Sequence, residues 1–307
     1  MVKVSLIILS WNAGKMTQEE LQNVALLDTN GLDAECVVVD NGSTDDTQDM
    51  LSNYKLPNMG YKFIETNLNL GYAGGNNVGL KYAFNGGSDY AILLNNDVIL
   101  PKDILTKLVG IAEKDQRIGL LAPKMYFAEG YEFHKDRYKK EDLGKVIWYA
   151  GGFIDWDNVY LNHRGVDEVD RGQYDKKEVV DAANGACLLI KNKVIRNIGF
   201  LRDKYFMYWE DADYSLRAKI AGWKVVYTPK TCLWHKVSAS SGIGSNLNDY
   251  FLTRNRLDFG LKYASLKIKM FLIKESLRFL IAGRTWQKIG VRDYYLGRWG
   301  KGSWGKK

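Results

Sequence analysis

The chain has only three cysteines in 307 residues, Cys36, Cys187 and Cys232. An odd, widely spaced set gives no disulfide framework. Cys36 and Cys187 also lie inside apolar runs, so reduced, buried thiols of a cytosolic protein are expected. Long hydrophobic runs are missing as well. The N-terminal "VSLIIL" is six residues long before it meets Ser10, Trp11 and Asn12, too short for a signal-peptide core or for the roughly 20 residues that cross a bilayer. A cytoplasmic location is the expectation. There is no G-x-x-x-x-G-K-[ST] loop, and no G-x-G-x-x-G follows the first strand-like run. A nucleotide site built on a glycine-rich phosphate cradle is therefore excluded. Internal repeats are absent, and the one low-complexity stretch is the basic end "GRWGKGSWGKK".

What is present is enough apolar content, 46%, for one large domain with appendages or two small ones. The formal charge of +7 is unevenly spread: residues 254–307 carry fourteen Lys plus Arg against three Asp plus Glu, +11, which leaves −4 for residues 1–253. A mildly acidic body with a strongly basic tail calls for an anionic partner of the tail.

Strand-like runs at 3–9, 35–40, 61–66 and 90–95 alternate with helix-like segments near 17–28, 44–54, 74–84 and 101–115. Near-continuous apolar strands separated by helices predict an α/β fold, a mostly parallel sheet covered on both faces. Ligands of such sheets bind beyond the carboxyl ends of the strands. Those ends carry "SWNAGK", "DNGSTDDT", "NLNLGYAGGNNVG" and "NNDVILP". Each loop has a reading as ordinary turn chemistry, with Asp40 to Ser43 a turn and Ser43 or Thr44 a helix cap. Together they crowd small, polar and acidic groups onto one edge, where a nucleotide would need acceptors, amides and close backbone approach. The glycines Gly71, Gly74, Gly75 and Gly79 fall after the third strand, so a cation is expected to carry the diphosphate charge. Asp97, framed by Asn95 and Asn96, is the candidate ligand for a hard divalent ion that keeps several waters.

In the second half, Glu210, Asp211 and Asp213 crowd a helix start. One or two acids there suit the helix dipole; three in four positions exceed what capping needs, and like charges at that spacing raise one another's pKa. His235 ends the apolar stretch "TCLWH", where it is either a packing residue or a metal ligand completed by a carboxylate.

The ordered set "LSWN", "VVVDNGSTDDT", "NLGYAGGNNVGLKYA", "LLNNDV", "WEDADYSLRA" and "LWHKVSASSG" resembles the family 2 glycosyltransferases of GT-A (Rossmann-like) fold, especially their rhamnosyltransferase-like branch, from about Val4 to about Asn255. The resemblance implies an inverting transfer of a sugar from a nucleotide diphosphate donor, dTDP-rhamnose or a UDP-sugar, to an acceptor hydroxyl, with Mg2+ or Mn2+, in cell-surface polysaccharide or glycolipid assembly. The family's Asp-x-Asp motif falls on Asn95, Asn96 and Asp97, so Asp97 would bind the metal while Asn95 could only hydrogen-bond ribose or water. Asp40 resembles the base- or ribose-contacting carboxylate. Asn12, Gly71, and Asn76 or Asn77 lie where the family lines the donor pocket. His235 matches a frequent metal or diphosphate ligand and is paired with Asp97. Asp211 takes the place of the general base, with Glu210 an acceptor-binding neighbour and rival. His134 and His163 sit in a polar stretch, 129–177, that has no family motif and is expected to form acceptor-side loops.

The organisation expected is a GT-A domain over 1–255, with a nucleotide-sugar half (1–125) and an acceptor half (126–255), followed by a basic amphipathic tail (256–307). In the tail, Leu266, Met270, Ile273, Leu277 and Leu280 form one helical stripe edged by Lys267, Lys274 and Arg278. Such a stripe packs on its own domain or on lipid. The charge and the late aromatics Trp286, Tyr294, Tyr295, Trp299 and Trp304 favour a segment lying on an anionic membrane, which suits a lipid-linked acceptor glycan and a place on the inner face of the cell membrane. Oligomeric state is open. Two other classes remain open. A nucleotidyltransferase would carry a basic, glycine-rich loop after its first strand, where only Lys15 is found. A nonenzymatic nucleic-acid-binding protein would explain the tail but not the acids around Asp211, so no nucleic acid is expected.

Overall fold

The structure is a computed structural model and describes residues 1–237 and 245–305. The last part of the "LWHKVSASSG" stretch, 238–242, lies outside the described residues. The first half alternates as the sequence predicts: β1 (Val2–Ser10), α1 (Gly14–Val24), β2 (Leu32–Asp40), α2 (Thr47–Leu51), β3 (Gly60–Glu65), α3 (Gly71–Asn85), β4 (Tyr90–Leu94), β5 (Val98–Ile99), α4 (Ile104–Lys114) and β6 (Ile118–Phe127). The second half adds β7 (Ile147–Tyr149), β8 (Gly152–Asp155), β9 (Tyr160–His163), β10 (Glu178–Val179), β11 (Cys187–Lys191), α5 (Asn192–Ile198), α6 (Glu210–Ile220) and β12 (Lys224–His235). Three helices close the chain: α7 (Asn246–Tyr263), α8 (Leu266–Ala282) and α9 (Thr285–Tyr295).

The central sheet runs β10-β12-β6-β11-β4-β1-β2-β3. β1 pairs in parallel with β2 and β4, β2 with β3, and β12 with β6. β11 is antiparallel to both β4 and β6. This register decides where the site is. Ser10 faces Asp40, Asp40 faces Glu65, and Ile8 faces Leu94, so the first four strands end on one edge. Because β11 runs backwards, Cys187 faces Leu94 and the loop before β11 arrives at the same edge. His235 faces Phe127 of β6 and Val98 of β5, which brings the end of β12 there as well.

β1, β2, β4 and β11 are buried through their apolar stretches, as strands covered on both faces should be. Cys36, Cys187 and Cys232 are free thiols, the first two buried. The expected division at 125/126 falls inside β6, and that at 255/256 falls inside α7, where Arg254, Asn255 and Arg256 are all buried. The tail does not stand apart. Trp286 and Trp304 pack with Tyr250 and Phe251 of α7, and Ile268 and Leu272 of α8 join a core with Leu257 and Phe259. The sequence stripe of α8 faces outward instead, with Leu266 76% and Leu277 52% exposed. Among the described residues, no helix is long and apolar enough to cross a membrane.

Candidate active site

The turn after β4 is pinned from two sides. The Asn95 amide donates to the Ala186 carbonyl at 3.0 Å, and Asn96 Nδ2 donates to Thr17 Oγ1 at 2.9 Å. Asp97 is thereby held against β12, where its Oδ1 lies 2.9 Å from His235 Nε2. The His235 ring is buried and meets Trp148 edge-on at 4.4 Å between centroids. Its Nδ1 is buried without a hydrogen-bond partner among the described residues. One carboxylate oxygen and one imidazole nitrogen thus converge. Among the described residues no group of three or more His, Cys, Asp or Glu could hold a metal. Such a pair fits a Mg2+ or Mn2+ ion that fills its remaining positions with water and substrate phosphate; it does not fit a closed structural site.

Glu210 and Asp211 open α6. The burial of Glu210 and the neighbouring charge of Asp211 push its carboxyl well above the usual range, and desolvation raises Asp211. Glu210 Oε2 is buried with no partner among the described residues, whereas Asp211 Oδ1 accepts from the Ala212 amide at 2.7 Å and Oδ2 from the Gly185 amide at 3.3 Å. These bonds favour the ionised form of Asp211, whereas burial and the Asp211 charge favour the protonated form of Glu210. Asp213 is a different case: fully buried, it binds Arg202 at 2.6 Å, Arg217 at 2.8 Å and the Tyr263 hydroxyl at 2.9 Å. It anchors the helix and is spent.

One short loop, Asn184 to Ala186, joins the two centres. Ala186 receives the Asn95 amide, Gly185 donates to Asp211 and accepts the Tyr72 hydroxyl at 2.6 Å, and Asn184 Nδ2 lies 3.2 Å from His163 Nε2. His163 lies 5.2 Å from Trp148 by ring centroids, and desolvation lowers its pKa to about 4. It is a neutral, hydrogen-bonding ring. Its place here was not legible from a polar stretch without motifs. Glu20 of α1 is a second residue the sequence hides: it is 2% exposed, and burial, with a smaller contribution from the Asp97 charge, lifts its pKa from 4.5 to about 8. His134 stays at the surface, 3.9 Å from Asp167.

The remaining donor-pocket residues divide. Asn12, in left-handed backbone (φ 48), accepts from the Thr44 amide at 2.8 Å. Buried Asp40 accepts from the Ser43 amide at 3.2 Å and from its hydroxyl. Both carry turn chemistry at the expected edge. Gly71 opens α3 with φ +74, and a Cβ there would stand 2.4 Å from the Phe206 carbonyl, so only glycine permits this approach. Asn76 donates to the Tyr72 carbonyl within α3. Both ends of the Asn77 amide are taken by the Leu201 backbone, at 2.9 and 3.1 Å, which ties α3 to the segment before α6.

The sequence model described as glycosyl transferase family 2 matches residues 5–170. An N-acetylglucosaminyl-diphospho-decaprenol L-rhamnosyltransferase of Mycobacterium tuberculosis is 28% identical over 219 residues, 67% of this chain and 67% of the relative. A low-salt glycan biosynthesis hexosyltransferase of Haloferax volcanii is 26% identical over 187 residues, 61% of this chain; the match spans about half of that relative, 53%. The solved structure of GalNAc-T7 with UDP, GalNAc and Mn2+ superposes with a TM-score of 0.62 at 16% identity, covering 89% of this chain and 54% of the other. The fold is GT-A: a central, mostly parallel sheet between helices.

Proposed function

The chain belongs to glycosyl transferase family 2, and from that premise we propose that it transfers a sugar from a nucleotide diphosphate donor to an acceptor hydroxyl with inversion. The observation that carries the reading is the loop Asn184–Ala186, which ties an Asp–His pair on one side to the partly exposed Asp211 on the other. Asp97 and His235 would hold Mg2+ or Mn2+. When bound, that ion supplies positive charge against the charge growing on the departing diphosphate. Asp211 takes the acceptor proton as the hydroxyl attacks, and the Gly185 and Ala212 amides keep it ionised to do so. Glu210 holds its proton and serves the acceptor side. A single displacement needs no covalent sugar intermediate.

The rhamnosyltransferase relative supports dTDP-rhamnose as the first donor to test and a lipid-linked glycan as acceptor. A peripheral place on the inner face of the membrane is supported by α8. Its outer face exposes Leu266, Met270, Phe271, Leu277, Leu280 and Ile281 beside Lys267, Lys274 and Arg278, while its inner face is already committed to α7. The deciding experiment is a screen of nucleotide sugars for release of nucleotide diphosphate with and without Mn2+. Turnover of one donor that chelator abolishes and Asp211→Asn removes supports the reading; release that ignores both sinks it.

A further inference from the structure

The backbone that delivers Asp211 is unusual. Phe206 (φ 67), Tyr208 (φ 64) and Trp209 (φ 76) all have positive φ just before α6 begins. Bulky residues persist in that region only where surrounding structure over-determines them. Asn255 of α7 supplies much of the constraint. The two N–H groups of its Nδ2 are shared among the carbonyls of Tyr205 (2.9 Å), Met207 (2.8 Å) and Tyr208 (2.9 Å). Arg254 beside it orients that amide, because its Nε donates to Asn255 Oδ1 at 3.0 Å. The same guanidinium donates to the carbonyls of Lys204 (3.4 Å) and Tyr205 (3.0 Å) on the loop. Both side chains are fully buried.

The grip is completed from the end of the chain. Arg254 Nη1 donates to the carbonyls of Arg298 (3.2 Å) and Gly300 (2.9 Å), and the Gly300 amide returns to the Lys204 carbonyl at 2.9 Å. The segment is seated by Asp293, fully buried, which accepts from the Tyr250 hydroxyl at 2.7 Å and the Ser303 amide at 2.9 Å. Gly302 (φ +56) lies so close that a Cβ would stand 2.0 Å from Tyr250 Oη.

We propose that Arg254 and Asn255 are positioning residues for the Glu210–Asp211 pair, and that the basic glycine- and tryptophan-rich segment 297–305 is the strap that completes their hold on the loop before α6. The proposal rests on Asp211 being the base. It gives the end of the chain a part in catalysis through geometry, separate from any surface it touches.

The test uses the whole chain with Asn255→Ala and, as a second probe on the strap itself, Gly302→Ala, whose Cβ would push the strap off Tyr250. Amide exchange should quicken about tenfold or more across 203–213 while β1, β2 and β4 stay protected. The turnover number should fall about 10- to 100-fold, because misplacing a reacting group is costly, with the donor KM unchanged. The rising limb of the pH–rate profile should move to lower pH as the pair loses its enclosure. If Asn255→Ala does not fold, Gly302→Ala decides alone. Wild-type exchange at 203–213, or faster exchange with full turnover, overturns the proposal. An active Asp211→Asn enzyme would instead defeat the base assignment, and the exchange response to Gly302→Ala reads the clamp independently of it.

Discussion

Replacing Glu20 with Gln should stabilise the protein, and by more as the pH rises. Glu20 sits on α1 beneath the Asp97 turn, 2% exposed, with Oε1 buried and without a hydrogen-bond partner among the described residues. Desolvation above all, and then the Asp97 charge, raises its pKa from 4.5 to about 8. Between those values the folded chain keeps a proton that the unfolded chain has released. Folded molecules therefore bind more protons, and wild-type stability falls as pH rises through that window, by at most about 1.4 kcal/mol per pH unit. At pH 7 the accumulated loss is on the order of 3 kcal/mol. Gln removes the titration and keeps the shape, but its amide leaves one group unpaired where Oε1 was, which costs about 1 kcal/mol. The net expectation is a gain of about 2 kcal/mol at pH 7, little or none at pH 5, and the largest gain near pH 8. Urea unfolding of both proteins at pH 5, 6.5 and 8 in excess chelator measures this. Parallel stability–pH curves for the two would refute the reasoning, since they would show that Glu20 does not hold a proton across this range.

Asp97→Ala should abolish Mn2+-dependent nucleotide binding and turnover while the melting transition persists; wild-type activity of the native enzyme in excess chelator would contradict the role given to Asp97. Asn95→Asp should be tolerated, judged by turnover, because Asn95 is fixed through its backbone amide. Asp211→Asn should lower transfer by about 10² to 10⁴ with nucleotide affinity nearly unchanged; a dead Glu210→Gln enzyme beside an active Asp211→Asn one would reverse the assignment. Full-length protein should co-sediment with anionic vesicles less as salt is added, each cation contributing on the order of 1 kcal/mol, and Leu277→Glu should weaken this without changing the melting transition. Ending the chain at Lys262 should give aggregated or inactive protein, read by size exclusion, because it exposes Ile268's partners on α7 and strips Arg254 of two carbonyls.

The donor half was legible because its signals are local. Apolar runs of strand length alternate with helical segments, and parallel pairing then forces the ends of β1 to β4 onto one edge whatever the details. Asp97 and His235 meet only through the pairing of β5 with β12, 138 positions apart in sequence, and that proximity came from resemblance alone. Trp148, His163 and Glu20 carried no signal. Trp148 gains its place on β7 against His235, His163 through the loop before the reversed strand β11, which no periodicity in "CLLIK" announces, and Glu20 by burial near Asp97. Asn77 shows the converse: a polar residue in a glycine-rich stretch reads as pocket lining, yet its amide is consumed by the Leu201 backbone.

The tail shows how one pattern hides two surfaces. Leu266, Met270, Leu277 and Leu280 follow helical spacing well enough to be noticed, and in the structure that face is outside. The face that packs is built from Ile268, Leu272 and Ser276, fewer and smaller groups that a search for a stripe passes over. Charge counting misleads in the same way. Of the basic residues after 253, Arg254 is fully buried among carbonyls, Arg256 binds Glu275 and the Asn158 and Val159 carbonyls, and Arg284 binds Asp249. These guanidiniums serve the fold. Other cations stay exposed, and among them Lys267, Lys274 and Arg278 edge the outer face of α8. The same helix can therefore belong to the core on one side and remain available to a membrane on the other, so lost solubility on truncation and vesicle binding of the intact chain are compatible outcomes.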